Sequence, residues 1–184
     1  MRSVWVKRSC LVTGILPAAI EAYPNETTGY VFGKSNRGYS SVSGTYAELT
    51  AERDEAEVGH GKKGACIRAV EYFSQLNGIR LTGGYHTHPD GRVRISKGDR
   101  HFLKGEMKTF RKRGLFTDNQ WLELIIRIDR ERRDGRKRRP SLWKLGERLR
   151  ANFYRDGEVY RMRIAGFEVY PDRSSEEVNL NIYD

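Results

Sequence analysis

His86-Thr87-His88-Pro89-Asp90-Gly91-Arg92-Val93-Arg94-Ile95-Ser96-Lys97-Gly98-Asp99 holds two histidines one residue apart, seven intervening residues and then a Ser-x-x-Asp step. On a strand, alternate side chains share a face, so His86 and His88 can aim both imidazoles at one point. The preceding run Arg80-Leu81-Thr82-Gly83-Gly84-Tyr85 reads as that strand, and Pro89 favours extended backbone at His88. Ser96 and Asp99 are three apart, which sets them on one face of a helix beginning near Ser96. Two neutral imidazoles and a carboxylate suit zinc, and three protein ligands leave a fourth position open, as catalytic zinc sites do.

Working outward, Glu26-Thr27-Thr28-Gly29-Tyr30-Val31-Phe32-Gly33 places a glutamate 60 residues before His86, just ahead of a Gly-x-x-x-Gly strand. The two segments together, in this order, resemble the JAMM (MPN+) metalloprotease family, whose pattern is an upstream glutamate, His-x-His, seven residues and Ser-x-x-Asp. The resemblance spans roughly residues 3–170. It implies an α+β JAB1/MPN fold of the cytidine-deaminase-like kind, a curved mixed β-sheet flanked by helices. It also implies one Zn²⁺ per chain held by His86, His88 and Asp99, and Glu26 as the general acid/base. Ser96 would then steady the oxyanion or orient the water. The activity implied is that of a zinc-dependent isopeptidase or peptidase acting at the C-terminal tail of a ubiquitin-like protein, by deconjugation or precursor processing.

Each piece has an ordinary reading when taken alone. Ser96 with Asp99 is also a helix N-terminus, the serine capping and the acid lying at the positive dipole end. A strand His-x-His is often structural, and a single Glu26 is most often a loop carboxylate. Other zinc chemistries need patterns this chain lacks: there is no Cys-x-x-Cys of a zinc deaminase and no His-Glu-x-x-His helix. His60, among glycines and lysines, and His101, on the outer side of the helix after Asp99, receive no role.

Length and composition fit one domain over residues 1–184. No apolar run approaches the 18 or more residues of a membrane span, and the N-terminus lacks the pattern of a secretory signal. Cys10 and Cys66 are too few for a disulfide framework and too far apart in sequence to suggest a metal pair. Reduced, buried thiols and a cytoplasmic protein are expected. The net charge of +10 is uneven. Arg127 to Pro140 carries eight cations (Arg127, Arg130, Arg132, Arg133, Arg136, Lys137, Arg138, Arg139) against three acids (Asp129, Glu131, Asp134), a net of +5. A basic loop near 129–140 attracts an acidic partner, either a ubiquitin-like or sulfur-carrier-type modifier protein or nucleic acid. Aromatics are not interleaved with its arginines, which weakens the nucleic-acid reading.

The element order expected is mixed. Strands are predicted over Val4–Lys7, Gly29–Gly33, Tyr39–Leu49, Arg80–Tyr85 and Trp121–Ile128, the last with the near-continuous apolar run of two-sided burial. Helical spacing covers Cys10–Tyr23, Ala65–Leu76 and Ser96–Arg113, and Glu52–Gly64 reads as a loop. Leu142–Phe153 and Val159–Val169 form a hairpin about Asp156-Gly157, and 171–184 is a short acidic tail. Thr50–Lys63 and Lys104–Asp118 correspond to the segments that clamp substrate in some members of the resembled family. Alternatives to the hydrolase are a nucleic-acid-associated protein of the RadC type and a non-catalytic MPN scaffold.

Overall fold

Alternating and near-continuous apolar runs make strands the dominant regular element of this chain. The structure is a computed structural model that describes residues 1–184 other than 37, 50, 54–57, 61–62, 90, 133–138, 156 and 173. In its first half lie β1 (Ser3–Lys7), β2 (Thr28–Ser35), β3 (Tyr39–Ala47), the two short strands β4 (Ala51–Arg53) and β5 (Val58–His60), and β6 (Arg80–Pro89). The second half adds β7 (Trp121–Arg132), β8 (Ser141–Leu145), β9 (Arg148–Arg155), β10 (Glu158–Val169) and β11 (Ser175–Tyr183). A π-helical turn at Cys10–Ile15 continues directly into α1 (Leu16–Ala22), and α2 (Lys63–Asn77) and α3 (Lys97–Lys112) follow. No helix among the described residues is long and apolar enough to cross a membrane.

The strands run in the order β11-β1-β3-β2-β6-β7-β10-β9-β8, and β10 pairs with β11 as well. Seven strands therefore close into a barrel, with β9 and β8 continuing from β10 as an extension. β10 changes partner midway: Glu158–Ile164 pair with β9, and Gly166–Val169 pair with β11. This mostly β architecture overturns the expected α+β JAB1/MPN sheet flanked by helices. The reason is the segment 171–184, expected as an acidic tail. After its two acids, Val178, Leu180 and Ile182 alternate with Asn179, Asn181 and Tyr183, the pattern of a half-buried strand. As β11 it pairs parallel with β1 and antiparallel with β10, which joins the two edges of the sheet.

Two apolar clusters lie on opposite faces of this closed sheet. One takes residues from all seven barrel strands, among them Val4, Val31, Val42, Tyr85, Ile126, Ile164 and Leu180, so it fills the interior. The π-helical turn and α1 insert Leu11, Ile15, Leu16 and Ala19 into it, plugging the barrel. The other cluster joins Tyr30, Leu81, Trp121, Ile125 and Phe167 on the outer face to α2 and α3, through Cys66, Val70, Leu103, Met107 and Phe110. Both cysteines are free and buried, as expected.

Elsewhere the sequence expectations fare unevenly. The helices at Ala65–Leu76 and Ser96–Arg113 are present as α2 and α3, and Gly114 at φ +70° takes the left-handed turn that ends α3. Glu52–Gly64 holds β4, β5 and the start of α2 rather than a loop alone. Lys104–Asp118 is mostly α3, not an insertion. The core of the basic loop, 133–138, lies outside the described residues. Gly83 on β6 allows the closest approach in the site's sheet, because a Cβ there would stand 1.7 Å from the Leu122 carbonyl oxygen on β7. Gly83→Ala is expected to cost about 3 kcal/mol, the scale of overpacking against backbone that cannot move. A urea midpoint equal to that of the parent protein would contradict this close approach.

Candidate metal centre

β6 lies inside the sheet, antiparallel to β2 and parallel to β7. Its register sets His86 beside Ile125 and His88 beside Arg127, while Tyr85 joins the interior cluster. His86 and His88 therefore both face outward, on the side that carries α2 and α3. On the other edge Thr28 pairs with His86. The ladder continues one step further, with the Thr87 N–H donating to the Thr27 carbonyl at 2.9 Å and the Thr27 N–H to Thr87 Oγ1 at 2.8 Å. Glu26 is half-buried and comes one residue before Thr27, whose partner Thr87 stands between the two histidines.

α3 brings the third group. Ser96 is its N-cap: Ser96 Oγ accepts from the Asp99 N–H at 3.0 Å, and Asp99 Oδ2 accepts from the Ser96 N–H at 2.6 Å. This reciprocal capping box ties the helix start to the carboxylate. The two readings of Ser96 and Asp99, cap and site, are thus compatible. Ser96 remains exposed and its own hydroxyl proton has no acceptor among the described residues.

His86, His88 and Asp99 form the one cluster of three or more such groups with metal-ligand proximity among the described residues. His86 Nε2 and His88 Nε2 are 2.9 Å apart, and they lie 3.7 and 3.8 Å from Asp99 Oδ1 and Oδ2. A tetrahedral zinc site with bonds near 2.0–2.1 Å needs donors about 3.3 Å apart, whereas one atom from each residue here lies within 4.8 Å of the others, so the carboxylate has to turn inward to complete the set. His86 is buried, whereas His88 and Asp99 are half-buried.

What orients the imidazoles was not foreseen from the sequence. His86 Nδ1 donates to Glu123 Oε1 at 2.7 Å, and His88 Nδ1 donates to the Arg92 carbonyl at 2.9 Å. Each contact fixes the tautomer that leaves Nε2 as the ligating nitrogen. Glu123 is buried on β7, and its second oxygen accepts from Trp121 Nε1 at 2.7 Å. A signal for it was present: a single acid inside the apolar run Trp121–Ile128 must find a partner when buried. His101, left without a role, is exposed on α3. The side chain of His60 lies outside the described residues.

The charges explain one another. Burial works against the imidazolium of His86, yet the carboxylates of Asp99 and Glu123 carry its pKa up to about 10. Burial and then the charge of His86 press His88 below its ordinary value. Burial also opposes the Asp99 carboxylate, but His86 and the Ser96 N–H hold its pKa well below the usual range. A proton on His86 and a cation between the ligands thus compete for the same negative surroundings.

No family model matches this chain, and no curated protein matches it. Among solved structures it is similar to protein DSY2949 from Desulfitobacterium hafniense, a solution structure, at a TM-score of 0.60 and 16% identity over 98% of this chain and 93% of that one. At that identity the likeness is one of fold.

Two outcomes are expected of this geometry. Glu123→Gln should weaken zinc binding by about 10–100-fold, the usual effect of removing a ligand's hydrogen-bond partner, as read by competition with a chromophoric chelator. Since the folded pKa of His86 is raised, zinc must displace a proton below about pH 10, and affinity should rise with pH across the neutral range. Calorimetry in buffers of different ionisation enthalpy should report about one proton released near neutral pH, and none released would contradict the coupling.

Proposed function

We propose that this protein is a zinc-dependent peptidase or isopeptidase that hydrolyses the amide bond following the C-terminal tail of a ubiquitin-like protein. The observation that supports it is the convergence of His86, His88 and Asp99 on one point, with the half-buried Glu26 one residue before Thr27, which bonds Thr87 between the two histidines. The order Glu26, His86-x-His88, Ser96-x-x-Asp99 is that of JAMM-type metallopeptidases. The likeness is one of motif and of chemistry.

His86, His88 and Asp99 would hold the ion, and a zinc ion bound there supplies Lewis acidity toward water and the scissile carbonyl. Glu26 accepts a proton from the attacking water and delivers it to the departing amine, the double task of one general acid/base. The Ser96 hydroxyl, exposed and still able to donate, hydrogen-bonds the oxygen on which negative charge develops, a contribution of about 3 kcal/mol for such donors. Glu123 and the Arg92 carbonyl keep both imidazoles turned toward the ion. No side chain needs to become covalently attached to substrate. Two buried free thiols suit a reducing, cytoplasmic setting.

Elemental analysis should find one zinc per chain, and a chelator should abolish cleavage of a linear fusion between a ubiquitin-like protein and a reporter. Glu26→Gln should lower kcat by at least about 100-fold, the scale of general acid–base catalysis, with zinc content unchanged. Folded protein without zinc, or a Glu26→Gln variant that cleaves as well as its parent, would remove the reading.

A further inference from the structure

The face that presents His86 and His88 continues beyond the metal ligands. Registers carry a straight lateral row from His88 to Arg127 on β7, Arg163 on β10, Arg150 on β9 and Trp143 on β8. Paired residues in adjacent strands share a face, so all five side chains stand on the outer side of the sheet. The neighbouring row contributes Asp129, Arg161 and Asn152 to the same face. Together these rows line one broad concavity in which five arginines (Arg130 being the fifth) meet two acids, Asp129 and Glu131.

Its positive charge is only partly answered, although Arg130 also pairs with Glu158 at 3.9 Å. Arg127 and Arg163 both bond the single carboxylate of Asp129, and Arg161 bonds Glu131. Arg150 has no ion pair among the described residues, and its buried Nε lacks a hydrogen-bond partner. Burial, then the adjacent Arg163 and Arg148, pull its guanidinium below the ordinary value. A carboxylate arriving from outside would relieve that excess. The far rim is apolar: Trp143 is 39% exposed and Leu145 57% exposed, on the strand that ends the sheet. Exposed tryptophan beside arginine is the composition of protein–protein anchors. Phosphates, by contrast, would meet the interleaved Asp129 and Glu131.

We propose that this arginine face is the docking surface for a protein partner with an acidic patch and an apolar residue that seats on Trp143. The docking stands on charge and register. Delivery of the partner's chain end to His88 rests on the hydrolase reading above. Four strand-to-strand steps of about 4.8 Å separate β8 from β6, about 19 Å in all, which an extended tail of about six residues spans.

The test is anisotropy of a fluorescein-labelled peptide of repeated Glu-Asp-Leu closing in Gly-Gly, with a Gln-Asn-Leu counterpart and a labelled DNA duplex as comparisons. The acidic peptide should bind the full chain, and the neutral peptide should bind at least about tenfold more weakly. Arg150→Gln with Arg161→Gln should weaken the acidic peptide by about tenfold, and Trp143→Ala, at an exposed position, should weaken it independently of any folding defect. On the unaltered chain the affinity should fall as salt rises. Binding that ignores salt and all three substitutions, or a duplex that binds more tightly than the acidic peptide, overturns the proposal. A His88→Ala chain should lose zinc and keep the peptide. Arginine-dependent peptide binding in a parent protein that takes up no zinc would uphold the docking surface while the hydrolase reading falls.

Discussion

The hydrogen-bond ladders along both edges of β6 are the constraint on which the candidate site depends. A strand paired on one side can slip, and a slip of one residue exchanges its two faces. In β6 that would send Tyr85 and Thr87 outward and turn both histidines into the barrel. Here β2 and β7 pin the register from opposite sides, Tyr85 is packed into the interior cluster, and Gly83 allows β7 to approach. The same pairing sets Thr28 beside His86 and carries Thr27 alongside Thr87, between the two histidines.

The cost of this arrangement is concentrated at Glu123. A carboxylate buried in an apolar strand is strongly unfavourable unless its oxygens are occupied, and here Trp121 and His86 occupy both. A well-packed apolar residue at that position would be at least as stable, but it would leave the His86 ring free to turn and its tautomer unset. The local departure from a stable core coincides with the position that orients His86, a member of the candidate metal cluster.

Much of the site was legible in the sequence because its logic is local. Alternation placed His86 and His88 on one face, Pro89 kept the strand extended, and the Ser96–Asp99 spacing described a real capping box. The apolar run at Trp121 did become a central strand, and Gly157, at φ +77°, does stand between the paired strands β9 and β10. Closure of the barrel was not legible. It depends on β11 lying parallel to β1 at the opposite end of the chain, and no nearby residue signals a pairing of such separation. The acids of 171–184 hid an alternation that was present. The apolar spacing of Cys10–Tyr23 foretold a helix but not that it would plug the barrel, since periodicity reports which face is apolar and not what covers it. Glu123 was visible as an anomaly, yet its partner lay on another strand.

Asp99 reaches the centre by a different mechanical route from the histidines. The imidazoles stand on backbone clamped along both edges, whereas the carboxylate rides on the first turn of a helix and is tied there by a capping box. The two halves of the cluster are therefore held by different means, a strand ladder and a helix cap. A disturbance at the start of α3 would move the carboxylate and leave the two ring nitrogens in place.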